Sequence, residues 1–364
     1  MNQINELSSL LSQHLNWNKA RIFCFSGILI GLMKVRSINL TKIALAFPSS
    51  ATPDSRYRRI QRFIHQYPID FNVIALLIMT MFQFISRNFH ITLDRTNWKW
   101  GKKNINFFVL AIAYKGTAIP IYWILLNKKG NSKTCERIAL MKRFVKQFGK
   151  EHIISVLADR EFIGEAWLKW LKSEGIPFHI RIKKDAQVTN SRGKTVRVET
   201  LFRFLKVGES LTIQGLRKMT GLEVYLSCLR LEDGELLIIA STKQAELAIK
   251  RYAKRWEIET LFSCFKGRGF NLEDTHITKL IRLKRLLVPV VIAFYWAHRT
   301  GEWRNEQKPI KIKKHTRLAK SIFRVGLDLI QDKLFNGVGS LKFIFEFIFQ
   351  QTDFKEEKQV ISIV

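Results

Sequence analysis

The chain has 364 residues, and its 61 Lys and Arg exceed its 30 Asp and Glu, leaving a formal charge of +31 at pH 7. Hydrophobic residues make up 47% of the chain, which excludes a basic disordered protein and is enough for a folded core. So large a positive charge indicates a polyanionic partner, because Lys and Arg that bind phosphates release counterions. Nucleic acid is therefore the first expected partner.

Cysteine spacing and hydropathy exclude several other classes of protein. The four cysteines form no CxxC pair and have no His at zinc-site spacing, which is typical of a reducing compartment. The polar N-terminus lacks the basic and then apolar order of a signal peptide. The apolar runs 71–85 and 286–297 are shorter than the about 18 residues that a membrane span requires. We therefore expect a cytoplasmic protein without a membrane partner.

Residues 1–88 show helical periodicity and are expected to form a DNA-binding region. Apolar residues in 38–46 fit one face of a helix, 48–53 is a Ser/Pro-rich turn, and 56–63 is a basic helix. A helix, a turn and a basic helix suit a DNA groove, although a small bundle with a solvated basic face is the alternative. The candidate DNA-binding residues of the basic helix are Arg56, Arg58, Arg59 and Arg62.

From residue 89 the pattern changes to β-strands with intervening helices. Three sequential strands favour an antiparallel meander, and a strand, a helix and a strand imply a parallel pair with a crossover. This order is that of a ribonuclease-H-like fold, so we expect an α/β catalytic core with a mixed sheet. The predicted elements are strands at 89–94, 105–113 and 118–126, a helix at 132–148, a strand at 152–159, a helix at 164–174 and a strand at 178–182.

Further segments flank and interrupt this core. Short alternating runs predict a β-rich insertion, a long helical pattern begins near residue 245, and the apolar segment 341–349 is a candidate dimer interface. The predicted regions are a helical DNA-binding region at 1–88, the first part of the core at 89–185, the insertion at 186–234, the last strand and the catalytic helix at 235–305, and a basic helical C-terminal region at 306–364.

Three acidic residues suit a metal site. Asp94 ends the first predicted strand, Asp159 ends the strand before the crossover helix, and Glu259 lies on a helix after the insertion. Acids at strand ends that the fold brings together can share two divalent ions in a site of oxygen ligands, which is a design for phosphoryl transfer. Taken singly, each acid is more often a turn residue, a cap or an ion-pair partner, so the prediction depends on the combination.

The helix that carries the third acid contains a spaced motif. The residues that satisfy the pattern Y-x2-R-x3-E-x6-K are Tyr252, Arg255, Glu259 and Lys266. At 3.6 residues per turn, the last three are expected along one helix face. With LDRTNW around the first aspartate and LADREF around the second, the chain resembles bacterial insertion-sequence DDE transposases of the "insertion sequence four" family over about residues 30–300.

The resemblance implies a DNA transposase that cleaves the ends of its element and joins them to target DNA. The three acids would bind Mg²⁺, two ions per site, with Mn²⁺ able to replace it. Tyr252, Arg255 and Lys266 would contact DNA phosphates near the cleaved end. The implied partners are double-stranded DNA, as terminal inverted repeats and target, and a second copy of the chain in a homodimer, at the bacterial nucleoid.

Two other functions and one mechanistic question stay open. A metal-dependent nuclease on the same fold would share the acids, and an inactive transposase-derived protein would keep only the DNA-binding surface. Family members stack a flipped base on a Trp of the insertion during hairpin formation, yet this chain has no Trp between Trp170 and Trp256. The candidate substitutes are Phe202, Phe204 and Tyr225.

Overall fold

A computed structural model describes residues 2–314 and 318–336, which form eleven α-helices and eleven β-strands. The helices are α1 (Asn2–His14), α2 (Lys19–Val35), α3 (Leu40–Leu45), α4 (Pro53–Gln66), α5 (Phe71–Met81), α6 (Thr134–Phe148), α7 (Glu165–Ser173), α8 (Ala248–Ala253), α9 (Glu257–Phe265), α10 (Leu280–Gln307) and α11 (Ile322–Asn336). The strands are β1 (Phe89–Trp100), β2 (Lys103–Tyr114), β3 (Thr117–Leu126), β4 (Ile153–Ala158), β5 (Phe178–Arg181), β6 (Gln187–Thr189), β7 (Thr195–Arg197), β8 (Ser210–Thr212), β9 (Arg217–Met219), β10 (Leu222–Arg230) and β11 (Leu236–Ser241).

The centre of the sheet has the predicted ribonuclease-H-like order. Strands β1, β2 and β3 form an antiparallel meander, and β4 pairs parallel to both β1 and β5. The spatial order is therefore β3-β2-β1-β4-β5, with α6 between β3 and β4 in the chain and α7 between β4 and β5. The predicted fold class, a mixed α/β sheet flanked by helices, is confirmed.

Strand β1 is longer than the sequence pattern predicts. The parallel ladder with β4 ends at the pair Leu93–Ala158, but antiparallel pairing with β2 continues to Trp100 opposite Lys103. Gly101, with φ of +54°, makes the tight turn between the two strands. The expectation that Asp94 ends the strand is therefore wrong, because a hairpin extends β1 beyond the edge that β4 covers.

The segment after β5 continues the same sheet. Strand β11 pairs antiparallel with β5, and β10 pairs antiparallel with β11. Strands β9, β6 and β7 follow outward in space, and β8 pairs with β10 at the edge opposite β11. The strands of the predicted insertion thus lie between β5 and β11 in the chain and extend the sheet at its β11 edge. The division of the chain into five regions stays a prediction.

Helix α10 carries much of the hydrophobic core. Its residues 286–297 are all buried, and it contacts α2, α4, β3 and α11. In the described part of the chain no single helix is both long and apolar enough to cross a membrane, and α4 and α5, which pass that test only together, meet at a bend of 101°. The candidate dimer interface 341–349 lies outside the described residues.

Two glycines let α10 and α11 approach at backbone distance. A Cβ atom at Gly301 would lie 1.9 Å from the carbonyl oxygen of Ile322, and one at Gly326 would lie 1.7 Å from that of Ala297. Both obstacles are backbone atoms, so a side chain at either glycine forces the helices apart.

We expect Gly301→Ala to lower the free energy of unfolding by about 1–3 kcal/mol, because overpacking outweighs the gain in helix propensity. Urea denaturation of the purified protein measures the change. Gln307→Ala, at an exposed position of the same helix, is the matched control and should leave the midpoint nearly unchanged. A Gly301→Ala protein as stable as the wild type would contradict this account of the crossing.

Candidate active site

Two aspartates follow the last parallel pair of β1 and β4. Because Leu93 pairs with Ala158, the residues that follow this pair are Asp94, within β1, and Asp159, directly after β4. Asp94 accepts a hydrogen bond from the backbone N–H of Arg95 (2.7 Å), and Asp159 accepts one from that of Arg160 (2.7 Å). The register of one parallel ladder therefore sets both carboxylates at the same edge.

The third acid arrives on the helical segment after β11. Glu259 lies in the first turn of α9, and Arg255 precedes it in a 3-10 turn between α8 and α9. The Arg255 guanidinium lies 3.3 Å from an Asp94 oxygen and 2.9 Å from a Glu259 oxygen. Its side chain is only 4% exposed. A buried cation thus joins two of the three predicted acids across different elements.

Tyr252 contacts the remaining acid. Its ring is buried at the end of α8, and its hydroxyl donates to an oxygen of Asp159 at 3.4 Å. Burial raises the pKa of Tyr252, so the phenol stays protonated and remains a donor. The Arg255 guanidinium lies 5.6 Å from the centre of the Tyr252 ring. Tyrosine, arginine and the three acids therefore form one contact network.

Like charges are concentrated around Asp94. Burial, with smaller contributions from the charges of Glu161 and Asp159, raises the pKa of Asp94 to about 7 despite its hydrogen bond from Arg95 and its ion pair with Arg255. Arg95 in turn holds Glu161 through two bonds of 2.8 and 2.9 Å. A cation at this edge would relieve the electrostatic cost of the ionised carboxylates.

The sequence does not predict the pairing of Arg95 with Glu161. The sequence offers one signal for it: Arg95 directly follows Asp94, and the oppositely charged Glu161 lies two residues after Asp159. Such short-range charges are common at turns and helix starts, so the pattern alone does not indicate the pairing.

Lys266 departs from the predicted geometry. Helix α9 ends at Phe265, and Lys266 is its C-terminal cap, so the expected single helix face does not include it. The Lys266 ammonium pairs with Glu273 (2.9 Å) and donates to the backbone carbonyl of Asn97 (3.4 Å), three residues beyond Asp94 on β1. Lys266 is therefore anchored to the same strand as the first acid.

The four arginines of α4 divide into two pairs. Arg56 donates to the carbonyl oxygen of Phe47 (3.1 Å), and Arg59 lies 5.9 Å from the centre of the Phe47 ring. Arg58 and Arg62 are exposed. The first pair thus has structural contacts with the neighbouring segment, whereas the second pair is accessible to a partner.

The aromatic residues that could replace the missing Trp also differ from one another. Phe202 is fully buried, so it is not available to stack on a base. Phe204 is 65% exposed, and Tyr225 is partly buried on β10. Phe204 is the accessible member of the three.

The donor set suits a hard divalent cation. Asp94, Asp159 and Glu259 offer only carboxylate oxygens, the ligands that Mg²⁺ and Mn²⁺ prefer. Within residues 2–314 and 318–336, no group of three His, Cys, Asp or Glu side chains is arranged as a ready metal site. Asp94 and Glu259 instead share the guanidinium of Arg255.

Comparison with known proteins identifies the family. A family model described as "Transposase DDE domain" matches residues 84–296, which is more than half of the chain, and the chain belongs to this family. A cryo-EM structure of the piggyBac transposase synaptic complex with hairpin DNA is similar at 13% identity and a TM-score of 0.40, covering 99% of this chain and 84% of that one. No curated protein matches the chain.

We expect Arg255→Met to lower the free energy of unfolding by about 3 kcal/mol, because it leaves the largely buried Asp94 carboxylate without its ion pair. Arg255→Lys should lose less, since it keeps the charge and lacks only the two-pronged geometry. Urea unfolding measures both variants.

The matched control is Arg324→Met, which removes another pair spaced four residues apart, with Asp328, on the exposed face of α11. It should cost about 1 kcal/mol or less, because surface ion pairs contribute little. Equal effects of Arg255→Met and Arg324→Met would show that Arg255 does not stabilise the acid site.

Proposed function

We propose that the chain is a DNA transposase of the "insertion sequence four" type, which binds terminal inverted repeats, cleaves element ends and joins them to target DNA. The observation that carries the proposal is the network in which Arg255 bridges Asp94 and Glu259 while Tyr252 holds Asp159. Membership of the transposase DDE domain family supports the reaction class. The spacing of the motif supports the finer assignment.

In this proposal Asp94, Asp159 and Glu259 hold two Mg²⁺ ions, or Mn²⁺ in their place. Such ions would supply Lewis-acid chemistry, activating the attacking hydroxyl and stabilising the leaving oxygen of an in-line displacement at phosphorus. The support for these ligands is their all-oxygen chemistry and the raised pKa of Asp94, which indicates a site where added positive charge is favourable.

The neighbouring residues position the acids and the DNA. Tyr252 donates to Asp159 and so orients one carboxylate from outside the acid set. Arg255 has donors in a rigid fork, which suits a DNA phosphate as well as the two carboxylates that it contacts. Lys266, held beside β1 through Asn97, offers a point charge for a phosphate near the same edge. These roles place the transferred strand across the end of the β1–β4 ladder.

More distant surfaces complete the proposal. Repeat recognition falls to the N-terminal helices, where Arg58 and Arg62 are exposed on α4. A homodimer would hold both element ends, and the basic C-terminal region would lie along flanking DNA. If the second strand is released through a hairpin, Phe204 is the exposed aromatic residue of the insertion that could stack on a flipped base.

We expect Asp94→Ala, Asp159→Ala and Glu259→Ala each to reduce cleavage of a repeat-ended DNA by more than about 100-fold, beyond the usual effect of losing an outer-shell partner of a metal site. Binding should be largely retained, because the removed groups are anionic. Asp185→Asn, an exposed acid of the same chain, is the control and should cleave normally. Retained cleavage by all three alanine variants would refute the assignment of the acids.

The products of the same assay separate the three functions. Joined molecules of element and target indicate a transposase, whereas cleavage without joining indicates a metal-dependent nuclease. Binding by a wild-type protein that never cleaves indicates an inactive transposase-derived protein. Inverted repeats flanking the reading frame would supply the substrate.

A binding experiment tests the metal ligands without turnover. We expect Mg²⁺ to raise the thermal midpoint of the wild type, since a ligand at 100 times its Kd stabilises the folded state by about 2.7 kcal/mol. Asp94→Ala and Asp159→Ala should lose this shift, and Asp185→Asn should keep it. An unchanged shift in Asp94→Ala would place the ion elsewhere.

A further inference from the structure

A cationic cleft of about 1070 Å³ lies between the N-terminal helices and the segment that leads into α10. One wall is the exposed face of α4, where residues 58, 61, 62 and 65 recur at helical spacing. The opposite wall is formed by 275–279 and the first turn of α10, and α3 closes one end. Its charged and titratable lining residues include Lys42, Arg58, Arg62, His65, Lys279 and Arg282. No Asp or Glu of the described chain lines it.

Hydrogen bonds hold the walls of the cleft in place. Asp274, at its rim, accepts from Ser37 and from Lys42, each at 2.9 Å. The Lys42 bond lowers the pKa of Asp274 to about 2, so this carboxylate stays charged. On the other side, Arg285 of α10 donates to the carbonyl oxygen of His65 at 2.6 Å. The cleft is therefore a preformed feature of the fold, with little ordering left for a ligand to impose.

The positive charge of the cleft is largely uncompensated within the described structure. Across residues 2–314 and 318–336, Arg58, Arg62, Lys279 and Arg282 form no ion pair with an acid. His65 lies among Arg282, Lys279 and Arg285, whose charges contribute, after desolvation, to lowering its pKa. Cations so placed favour an anionic ligand with repeated charge.

An aromatic contact relates the cleft to the acids. The ring of His276, which lines the cleft, lies 4.3 Å from that of Trp100 between centres, tilted by 33°. Trp100 lies six residues beyond Asp94 on the same strand, which corresponds to about 20 Å at 3.3 Å per residue. The near edge of the cleft is thus within about 25 Å of Asp94, or about seven base-pair steps of duplex DNA at 3.4 Å per step.

We propose that this cleft binds the sugar–phosphate backbone of one strand of duplex DNA, within about seven base pairs of the bond held at the acids. The inference rests on the proposed function and adds a composite site in which α4 and the segment 275–282 contact the same DNA strand. The neutral lining residues Asn39, Thr41 and Gln61 support a backbone ligand, because amides and hydroxyls beside Arg and Lys are the usual phosphate contacts.

The test is the salt dependence of DNA binding by the full chain. The double variant Arg58→Gln/Lys279→Gln removes one cation from each wall. The control, Lys142→Gln/Lys146→Gln, removes two exposed lysines of α6, which lie outside the cleft. Fluorescence anisotropy with a short labelled duplex of mixed sequence, between about 50 and 200 mM salt, gives the slope of log K against log salt.

We expect the slope of the cleft variant to fall by about 2 and its affinity at about 0.1 M salt to fall by about 50-fold, since each phosphate contact contributes about 0.9 to the slope. The control should keep the wild-type slope. Equal slopes in the wild type and the cleft variant, or equal losses in variant and control, would overturn the proposal. All four positions are exposed, and circular dichroism verifies that both double variants are folded.

A second arm separates this proposal from the function on which it rests. Neutral methylphosphonate linkages within the first seven base pairs of a repeat-ended duplex should weaken the wild type and leave the cleft variant nearly unaffected. If the wild type cleaves the unmodified duplex but the methylphosphonate linkages weaken binding equally in the wild type and the cleft variant, the cleft proposal fails and the transposase proposal stands. If the wild type binds the duplex through the cleft but never cleaves it, the cleft proposal stands and the transposase proposal fails.

Discussion

The end of the parallel ladder between β1 and β4 is the constraint on which the candidate site depends. It sets Asp94 and Asp159 side by side, and burial makes the ionised Asp94 carboxylate costly unless a cation or a proton compensates it. Arg255 is the cation that the chain supplies to Asp94. The position of the helical segment carrying Arg255 is therefore linked electrostatically to the edge of the sheet.

The same constraint explains how a long segment can lie between Asp159 and Glu259 in the chain without changing the arrangement of the acids. Strands β5 and β11 enclose about fifty residues of chain yet are antiparallel neighbours in the sheet. Their pairing returns the chain to the sheet beside the β1–β4 ladder. The turn between α8 and α9 then carries Arg255 to Asp94, and α9 carries Glu259. Changes in the outer strands β6, β7 and β9 therefore do not act directly on the geometry of the acids.

The sequence predicted the parts of the fold that local periodicity determines. The meander and the crossover follow from runs whose pattern is complete within ten residues or so. The far half of β1 was missed, because polar Arg95 and Asn97 obscure a strand that exists through pairing with β2. Likewise, a basic helix does not reveal which arginines face inward: Arg56 and Arg59 contact Phe47 because of how α4 packs.

Fixed contacts between the N-terminal helices and the core determine where the positive charge of α4 lies relative to the acids. A DNA-binding region on a flexible linker would meet its substrate independently of the acids, and linker length would set their effective concentration. Here Arg285 ties α10 to the end of α4, and Lys42 and Asp274 tie α3 to the segment after α9. In the proposed complex, DNA held against α4 would therefore lie at a set distance from Asp94, so that binding would also position the reacting phosphate at little further cost in entropy.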